Sequence, residues 1–412
     1  MEDTLLTFHR VLSVAGIYIF AKNKWRSNTR LLHQFFNFTI GLFTCIFTTG
    51  FVIVNYSDIT KCIQGACIWT TGLIMFISVG ICLLCREKLR GFLEEIVFTD
   101  LILEMPLIAH VLNVDKGSKR QQKIDKLKVM TIGSREKLFK LSRLLIKSYL
   151  AAVFTCFILF ICGPIYTMIT KDQSVRMFAF DIWFPWKLDN IFVYVASFML
   201  DIYCGFLCVV MYPGFQSTII LMMGEIIRQL RILSFILYHL EDLAAELSVH
   251  ETSKKQVYCT NILIQCVDHF IKLKRFSNRL NVICRPFYLS VILVATILVC
   301  VCSVKIVISD KFALETMKYY VQDICFVLVV LMFCFLGQQV QNECARLELA
   351  ITEKWYKFSK GHQVNVRIFE MAVSQRMPIY IFGTITLSLP TFSMFLRNGM
   401  SFFTLVMSLL EE

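Results

Sequence analysis

Two pairs of closely spaced cysteines are the first residues whose types suggest chemistry. Cys82 and Cys85 are separated by two leucines, and Cys300 and Cys302 by one valine. Thiols at such spacings bind zinc or form redox-active disulfides in other proteins. Both pairs stand inside long apolar runs, as do most of the 17 cysteines. We therefore expect buried free thiols that pack as small hydrophobic side chains, and no metal or other cofactor is predicted.

Three charged residues interrupt apolar runs elsewhere in the chain: Asp201, Asp323 and Arg397. A charge within a membrane span is costly and needs a partner or water. Arg397 is therefore expected to turn toward protein or a water-filled vestibule, with Asp201 and Asp323 as possible partners. Neither carboxylate has a catalytic companion, and the sequence contains no nucleophile motif or phosphate-binding loop, so an enzyme is not expected.

The composition excludes an ordinary soluble protein. Of 412 residues, 57% are apolar and only 17% charged, and the mean hydropathy is +0.64, whereas soluble domains average about 25% charged residues. Membrane β-barrels alternate polar and apolar residues and do not reach this hydropathy. The net charge of +12 does not indicate nucleic-acid binding, because the basic residues cluster between apolar runs. The fold class is therefore an all-α integral membrane protein.

A helix needs about 20 apolar residues to cross the bilayer core. Seven runs that lack charge, or contain a single charged residue, predict seven transmembrane helices: residues 31–57, 62–85, 148–170, 190–224, 286–304, 324–342 and 377–410.

The basic residues predict the orientation of these helices. Of 42 Lys and Arg, 34 lie before the first run or after the second, fourth and sixth. Positive residues stay on the cytoplasmic side. The N-terminus is thus expected in the cytoplasm and the C-terminus outside, which is opposite to a G-protein-coupled receptor.

The cytoplasmic segments carry apolar stripes of their own. Residues 229–247 are predicted to form one amphipathic helix that continues the fourth span, and residues 255–280 a helix that leads into the fifth, with Arg285-Pro286 at its membrane entry. Residues 343–376 predict a third helical stretch, broken near residues 359–362. These stripes predict either a bundle within the chain or an oligomerisation bundle under the membrane.

The C-terminal 75 residues carry a specific pattern. It consists of Gly337-Gln338, Trp355-Tyr356, Ser374-Gln375-Arg376-Met377-Pro378, Leu387-Ser388-Leu389-Pro390-Thr391-Phe392, Phe395-Leu396-Arg397 and Ser401-Phe402-Phe403-Thr404-Leu405. This pattern, with Trp183-Phe184-Pro185-Trp186 before the fourth span, resembles insect odorant receptors. The coreceptor of that family ends its last helix with Thr-Tyr and Gln-Leu-Lys, and gustatory receptors carry Thr-Tyr and Gln-Phe. Here Ser401-Phe402 and Ser408-Leu409-Leu410 stand instead, so the chain resembles a ligand-tuned subunit.

The resemblance implies a tetrameric, ligand-gated, non-selective cation channel that assembles with the coreceptor in the plasma membrane of a sensory neuron's dendrite. The last helix of each subunit would line the pore, and cytoplasmic helices would form an anchor bundle. The implied divisions are a cytoplasmic N-terminal segment, helices 1–4, anchor helices, helices 5–6, a second anchor segment, and the pore helix with the extracellular C-terminus: residues 1–34, 35–224, 225–285, 286–342, 343–376 and 377–412.

A volatile apolar odorant needs an enclosed pocket lined by aromatic side chains with a few polar groups. In the predicted topology, such side chains of the outer halves of the spans are candidates. They are Trp69, Leu73, Phe157, Phe160, Tyr194, Phe198, Tyr203, Tyr320 and Phe326. Any of them could instead serve in ordinary packing or in an interfacial aromatic belt.

The resemblance places the pore constriction at Leu405 and Leu409, with Ser408 between them. A leucine ring can close a pore by dewetting, and the acidic Glu411 and Glu412 that follow would attract cations or form a tail. Asn55 begins a glycosylation sequon on the predicted outer face. A gustatory receptor channel, a secondary transporter and a G-protein-coupled receptor are the alternatives.

Overall fold

The computed structural model describes residues 2–17, 27–113, 121–170, 177–248, 254–308, 314–353 and 355–411. Long helices dominate these residues. In chain order they are α1 (Glu2–Val14), α2 (Ser27–Val54), α3 (Ile59–Leu84), α4 (Arg86–Phe98), α5 (Pro106–Asn113), α6 (Gln121–Lys128), α7 (Ser134–Thr170), α8 (Ile191–Tyr238), α9 (Leu240–Leu247), α10 (Lys255–Ile308), α11 (Leu314–Thr352), α12 (Lys360–Ser374) and α13 (Leu389–Glu411).

Short irregular elements connect some of these helices. A π-helical turn, Val129–Gly133, joins α6 to α7, and a 3-10 turn, Trp355–Lys357, follows α11. Before α13 the chain forms an antiparallel hairpin of β1 (Tyr380–Phe382) and β2 (Ile385–Thr386). Gly383 stands in the hairpin turn with a φ of +52°, a left-handed conformation that glycine adopts without strain.

Six helices among the described residues are long and apolar enough to cross a membrane. They are α2, α3, α7 together with the preceding α6 and π-helical turn, α8, α10 and α11. The first six predicted spans fall in these helices to within three residues at each end. The chain is therefore a multi-pass helical membrane protein, and the direction in which it crosses the bilayer stays a prediction.

The predicted seventh span, residues 377–410, is wrong over its first third. Residues 380–386 form the hairpin, and the helix begins only at Leu389. Ser388 precedes the helix and Pro390 lies in its first turn, where a missing N–H is tolerated. In the described residues α13 is not among the six strongly apolar helices, since Arg397 and its polar neighbours lower its hydropathy.

The helices pack around α8 and α10. Helix α8 packs against α7 and α11, and α10 packs against α3, α11 and α13. Helix α1 lies against α8, where a Cβ on Gly214 would come within 2.9 Å of the Leu12 side chain. The absence of a side chain at Gly214 therefore permits the N-terminal helix to approach.

The predicted single helix over residues 229–247 is interrupted at His239. There the backbone leaves helical geometry, with φ −110° and ψ 22°, and the imidazole packs on Phe235 with ring centroids 4.5 Å apart. The redirected α9 keeps its apolar side turned into the chain. Leu230, Leu233 and Leu243 are all fully buried, so the apolar stripe packs within a single subunit.

Helix α10 spans 54 residues and joins the predicted cytoplasmic helix to the fifth span without a break. Pro286 lies inside it, where it removes one backbone hydrogen bond but does not end the helix. One rigid element therefore runs from the cytoplasmic side of the predicted topology to the outer face.

Candidate functional site

A mostly apolar, partly open cavity lies among α2, α3, α7, α8 and α11. Its volume is about 90 Å³. The chain between α7 and α8 contributes part of the wall. The lining residues are Thr44, Ile68, Thr71, Gly72, Tyr149, Val153, Cys156, Phe157, Phe160, Phe180, Ile182, Cys204, Gly205, Cys208, Val209, Tyr212, Gln322, Cys325 and Phe326.

Phe180 covers the cavity from the segment that precedes α8. Its ring stacks on Phe160, with centroids 5.1 Å apart, and on Phe157 at 6.3 Å. Gly205 makes this stack possible, because a Cβ there would lie 2.5 Å from Phe180 Cζ and 2.9 Å from the Phe157 ring. Three aromatic rings and one glycine thus form a close-packed outer wall.

Asp201 holds Phe180 in place. Its Oδ2 accepts the backbone N–H groups of Ala179 at 2.9 Å and Phe180 at 3.1 Å. The side chain is completely buried, and Oδ1 has no hydrogen-bond partner in the described part of the chain. Asp201 therefore acts on the cavity through the backbone that carries Phe180, and it does not pair with Arg397.

Four hydroxyl groups and one amide supply the polar surface of the cavity. Tyr149 donates to Gln216 Oε1 at 2.8 Å, and Tyr212 donates to the Thr71 carbonyl. Gln322 lies on α11, and its Nε2 donates to the Cys67 carbonyl on α3 at 3.3 Å. These bonds connect α7 with α8, α8 with α3, and α11 with α3 across the cavity.

Three of the nine predicted ligand-binding residues line the cavity: Phe157, Phe160 and Phe326. Phe326 meets Tyr212 edge-to-face at 5.9 Å. Phe157 and Phe160 belong to the stack described above. These three interpretations agree with the geometry, while ligand contact by each of the three stays a prediction.

Tyr194 and Phe198 lie farther out on α8 and belong to a separate aromatic cluster. Tyr194 donates to the Met177 carbonyl at 2.7 Å, and both rings pack against Phe178. At 1.5 Å per residue, Phe198 lies about 10 Å along the helix from Gly205. The cluster packs against the segment before α8 that contains Met177 and Phe178, and it does not line the cavity.

The other four predicted residues point away from the cavity. Trp69 donates to Thr49 Oγ1 at 2.9 Å, and Tyr203 to Asn37 Oδ1 at 2.7 Å. Leu73 and Tyr320 are half-buried and outside the lining. Successive residues of a helix are rotated by about 100° about its axis. Ile68 lines the cavity, and the next residue, Trp69, therefore faces a different direction.

Several lining residues were missed in the sequence, above all Tyr149, Tyr212 and Gln322. The two tyrosines lie deeper along their helices than the predicted outer halves. Gln322 stands beside Asp323, immediately before the predicted sixth span, and a polar side chain at the edge of a span is itself a signal of function. That signal was available in the sequence. Phe180 could not be assigned, because its position depends on Asp201 at long range.

The predicted gate lies on the face of α13 that turns away from the rest of the chain. Leu405 is 56% exposed, and Ser408 is exposed beside it. The backbone at Leu409 is helical, whereas its side chain, like that of Glu411, lies outside the described residues, as does Glu412 entirely. The opposite face packs on α10, with Val299 at 3.5 Å from a Cβ on Gly399.

The expectation that Arg397 turns toward protein or a water-filled vestibule stays a prediction. The Arg397 side chain is exposed on the same face as Leu405, two turns earlier, and it forms no ion pair with Asp201 or Asp323 in the described residues. Asp323 is half-buried, and its Oδ1 has no hydrogen-bond partner among them. Within the chain, Asp201 instead accepts hydrogen bonds from the backbone of Ala179 and Phe180, and the partner of Arg397 stays a prediction.

The predicted glycosylation site is at the turn between α2 and α3. Asn55 is half-buried, and its Nδ2 donates to the Phe51 carbonyl at 2.9 Å. The atom that would carry a glycan is therefore engaged with the helix end, and modification stays a prediction.

Comparisons with known proteins agree with this architecture. Two structures of the insect olfactory receptor OR5 from Machilis hrabei superimpose on the chain. The one in complex with eugenol has a TM-score of 0.80 at 12% identity and covers 99% of this chain and 98% of its own. The second has a TM-score of 0.77 at 11% identity and covers 98% and 97%.

These low identities show a shared fold. A search of curated protein sequences finds no match. The sequence profile described as 7tm odorant receptor, however, matches residues 124–400, which is more than half of the chain and includes α7 to α12 and about half of α13. The chain therefore belongs to the 7tm odorant receptor family.

Proposed function

We propose that this chain is the odorant-binding subunit of a ligand-gated, non-selective cation channel in the plasma membrane of a sensory neuron. A volatile, largely apolar molecule binds in the cavity among α2, α3, α7, α8 and α11. It acts without enzymatic chemistry, by favouring a shape of the cavity that accompanies an open pore. The channel contains the coreceptor as its second type of subunit, and α13 lines the pore.

The cavity is the observation that carries this proposal. It is lined by aromatic rings and thiols, and its few polar side chains are hydrogen-bonded except at Gln322 Oε1, which suits a small, largely apolar ligand. The receptor of similar fold from Machilis hrabei has been solved with eugenol, a molecule of that kind. A ligand that fills the cavity would lose little hydrogen bonding and would gain burial of apolar surface.

The exposed face of α13 supports the pore. Leu405 and Ser408 lie on one side of the helix, since they are three residues apart. In an oligomer, this side would meet the matching helices of neighbouring subunits, and a ring that includes Leu405 would exclude water from the closed pore. Arg397 on the same face would then lie in a water-filled part of the conduction path.

Helix α11 provides a physical connection between the cavity and α13. Its outer part carries Gln322 and Phe326, which line the cavity. Farther along, Gly337 contacts Leu387, and Gln341 Nε2 donates to Thr386 Oγ1 at 3.3 Å. A shift of α11 caused by ligand would therefore reach the segment that starts the pore helix.

Current recording tests the proposal. The full chain is expressed with and without the coreceptor while G-protein signalling is blocked, and volatile alcohols, ketones, esters and terpenoids are applied. Rapid cation currents are expected when both chains are present. A response that needs active G proteins, or uptake of the compound without current, would overturn the proposal.

Matched variants locate the site. Phe326→Ala removes a ring from the cavity, whereas Phe335→Ala removes one from an exposed position of the same helix. The first is expected to raise the concentration for half-maximal current at least about tenfold, and the second to leave it nearly unchanged. Equal effects of the two variants would place ligand binding elsewhere.

A further inference from the structure

The side-chain amide of Gln322 is the polar group of the cavity that lacks a hydrogen-bond partner most clearly. The residue lines the cavity and is 5% exposed. Its Oε1 is buried and has no hydrogen-bond partner in the described part of the chain. A buried acceptor in that condition favours any ligand that can donate a hydrogen bond to it.

The neighbouring carbonyl fixes which end of this amide is free. An amide nitrogen donates hydrogen bonds and an amide oxygen accepts them, so the neighbouring group decides which end is engaged. The Cys67 carbonyl can only accept, and it lies 3.3 Å from Gln322 Nε2. The nitrogen must therefore face Cys67, which leaves the oxygen as the group without a partner.

The hydroxyl groups of the cavity offer few free hydrogen-bond donors to a ligand. All four hydroxyl groups of its lining are already donating: Thr44 to the Ile40 carbonyl, Thr71 to the Ile68 carbonyl, Tyr149 to Gln216 Oε1 and Tyr212 to the Thr71 carbonyl. A ligand that can only accept hydrogen bonds would compete with these existing bonds, whereas a ligand hydroxyl would complete an unfilled one.

We propose that the cavity selects small volatile ligands that carry a hydroxyl group, such as an alcohol or a phenol, through donation to Gln322 Oε1. This ligand class rests on the proposed function of the cavity as the odorant site. In the absence of ligand, water can serve the same oxygen. A ketone that displaces this water leaves Oε1 without a donor, while an alcohol of the same shape replaces the lost bond.

Three probes of nearly equal shape test the ligand class: 1-phenylethanol, acetophenone and ethylbenzene. The first donates, the second only accepts, and the third does neither. Binding to the full chain, purified with the coreceptor, is followed by the rise in unfolding temperature with ligand concentration. Tighter binding of the alcohol than of the ketone is expected, by about 5- to 100-fold.

Two variants connect this preference to one atom. Gln322→Met keeps the length of the side chain and removes the acceptor, so the preference for the alcohol should fall to within about twofold while ethylbenzene binding changes little. Thr44→Val removes a hydroxyl that serves its own helix in the same cavity, and the preference should survive. A wild-type protein that binds the ketone as tightly as the alcohol overturns the ligand class, whatever the variants do.

The two proposals fail in distinguishable ways. If the ketone or the hydrocarbon binds best and opens the channel, the odorant site stands and the hydroxyl preference is wrong. If none of the probes shifts the unfolding temperature and a broad panel gives no current, the cavity is not a ligand site and both proposals fall. If the preference for the alcohol persists in Gln322→Met, the ligand hydroxyl donates to another residue, and the role proposed for Gln322 is wrong.

Discussion

Asp201 shows how a single buried carboxyl can shape a site that it does not touch. An acidic side chain in the interior of a span is expensive unless hydrogen bonds compensate it. Here two consecutive backbone N–H groups do so, and they belong to the segment that carries Phe180. The residue therefore controls how firmly the outer wall of the cavity is closed.

Replacement of Asp201 should change which ligands fit. Asp201→Leu removes both acceptor bonds, a loss of about 1–3 kcal/mol of local stability, and should release Phe180 so that bulkier ligands become better activators. Asp201→Asn keeps an acceptor oxygen and should retain the order in which ligands of different size activate the wild-type channel. The measurement is half-maximal current across ligands of increasing size, with Phe180→Ala as the reference. A Leu variant whose ligand order differs from that of Phe180→Ala would contradict this role.

Gly205 permits a second test of the same wall. Gly205→Ala places a Cβ 2.5 Å from Phe180 Cζ, and this overpacking should cost about 1–3 kcal/mol. Gly163→Ala on α7 is the control, since a Cβ there meets nothing within 4 Å and alanine favours the helix. Unfolding temperatures of the full chain should fall for the first variant and stay level or rise for the second. Equal behaviour would show that Phe180 moves aside without strain.

The candidate site illustrates which features a sequence reveals. Topology gives the depth of a residue in the bilayer, and Phe157, Phe160 and Phe326 were found from depth and residue type alone. Depth does not give the rotation of a helix about its axis. Trp69 stands at a suitable depth but lies about 100° from its neighbour Ile68 in the lining, and only tertiary packing fixes that angle.

At the scale of elements, the junction before α13 departs most from expectation. Residues 377–388 contain no charge after Arg376 and therefore resembled membrane helix by composition. Pro378 and Gly383 lie in that run and Pro390 follows it, and these residues favour turns and helix starts. The hairpin then forms because Leu387 N–H donates to the Ile379 carbonyl at 2.8 Å. The proline and glycine residues therefore determined the local structure here, although the hydropathy favoured a membrane helix.

Gly337 is where α11 meets this junction. A Cβ there would lie 2.5 Å from the Leu387 Cβ and 2.9 Å from its carbonyl carbon, so backbone would have to move. Gly337→Ala should therefore displace the start of α13 and alter the voltage-independent leak or the maximal ligand current severalfold, at a cost of about 1–3 kcal/mol. Gly361→Ala, with nothing within 4 Å of the added Cβ, should change neither. Unaltered currents in Gly337→Ala would argue against coupling through this contact.

Helix α12 docks on α10 through His362. Its Nδ1 lies 3.2 Å from Thr260 Oγ1, and its ring stacks on Phe358 at 4.2 Å. Burial lowers the pKa of His362 below its usual 6.5. Glu241, Asp242 and Glu353 line the same groove, and they do not offset the effect of burial.

This histidine should make the protein less stable in mild acid. Above pH about 6.5 both folded and unfolded chains carry a neutral His362, and the residue has no effect on pH dependence. As pH falls below that value, the unfolded chain binds the proton more readily, so the free energy of unfolding decreases. Unfolding temperatures between about pH 7.5 and about pH 5.5 should fall less in His362→Gln than in wild type. Parallel curves would show that His362 remains neutral in both states or is exposed to water.

At the scale of the whole molecule, a buried ionic network joins segments that are far apart in sequence. Arg228 on α8 pairs with Asp100 at 3.1 Å and Glu225 at 2.6 Å, and it donates to the carbonyl of Thr131 in the π-helical turn at 3.0 Å. Gln229 donates to the same two carboxylates. The α4–α5 connection, the start of α7 and the part of α8 around Arg228 are thereby fixed to one another.

The sequence indicated the helices of this region but not the network. Hydropathy and helical spacing depend on neighbouring residues, and they were sufficient for the spans and for the stripe that contains Leu230 and Leu233. Asp100 and Arg228 are 128 residues apart, and each resembles an ordinary cytoplasmic charge when considered alone. Their meeting depends on how α8 packs on its neighbours, which local patterns do not encode.

The network should contribute far more to stability than the exposed ion pairs around it. Arg228→Met leaves Glu225 buried without its cation and Asp100 with only Arg135, at 3.9 Å, which should cost up to about 3–5 kcal/mol. Lys272→Met breaks the pair with Glu104, at 2.7 Å and with the lysine 53% exposed, and should cost about 0–1 kcal/mol. Both pairs hold the same segment between α4 and α5, so the comparison isolates burial from position. Unfolding of the purified full chain by heat or denaturant measures both. A similar small loss in the two variants would mean that water reaches Arg228, and that packing of the apolar helix faces, rather than this network, holds this region together.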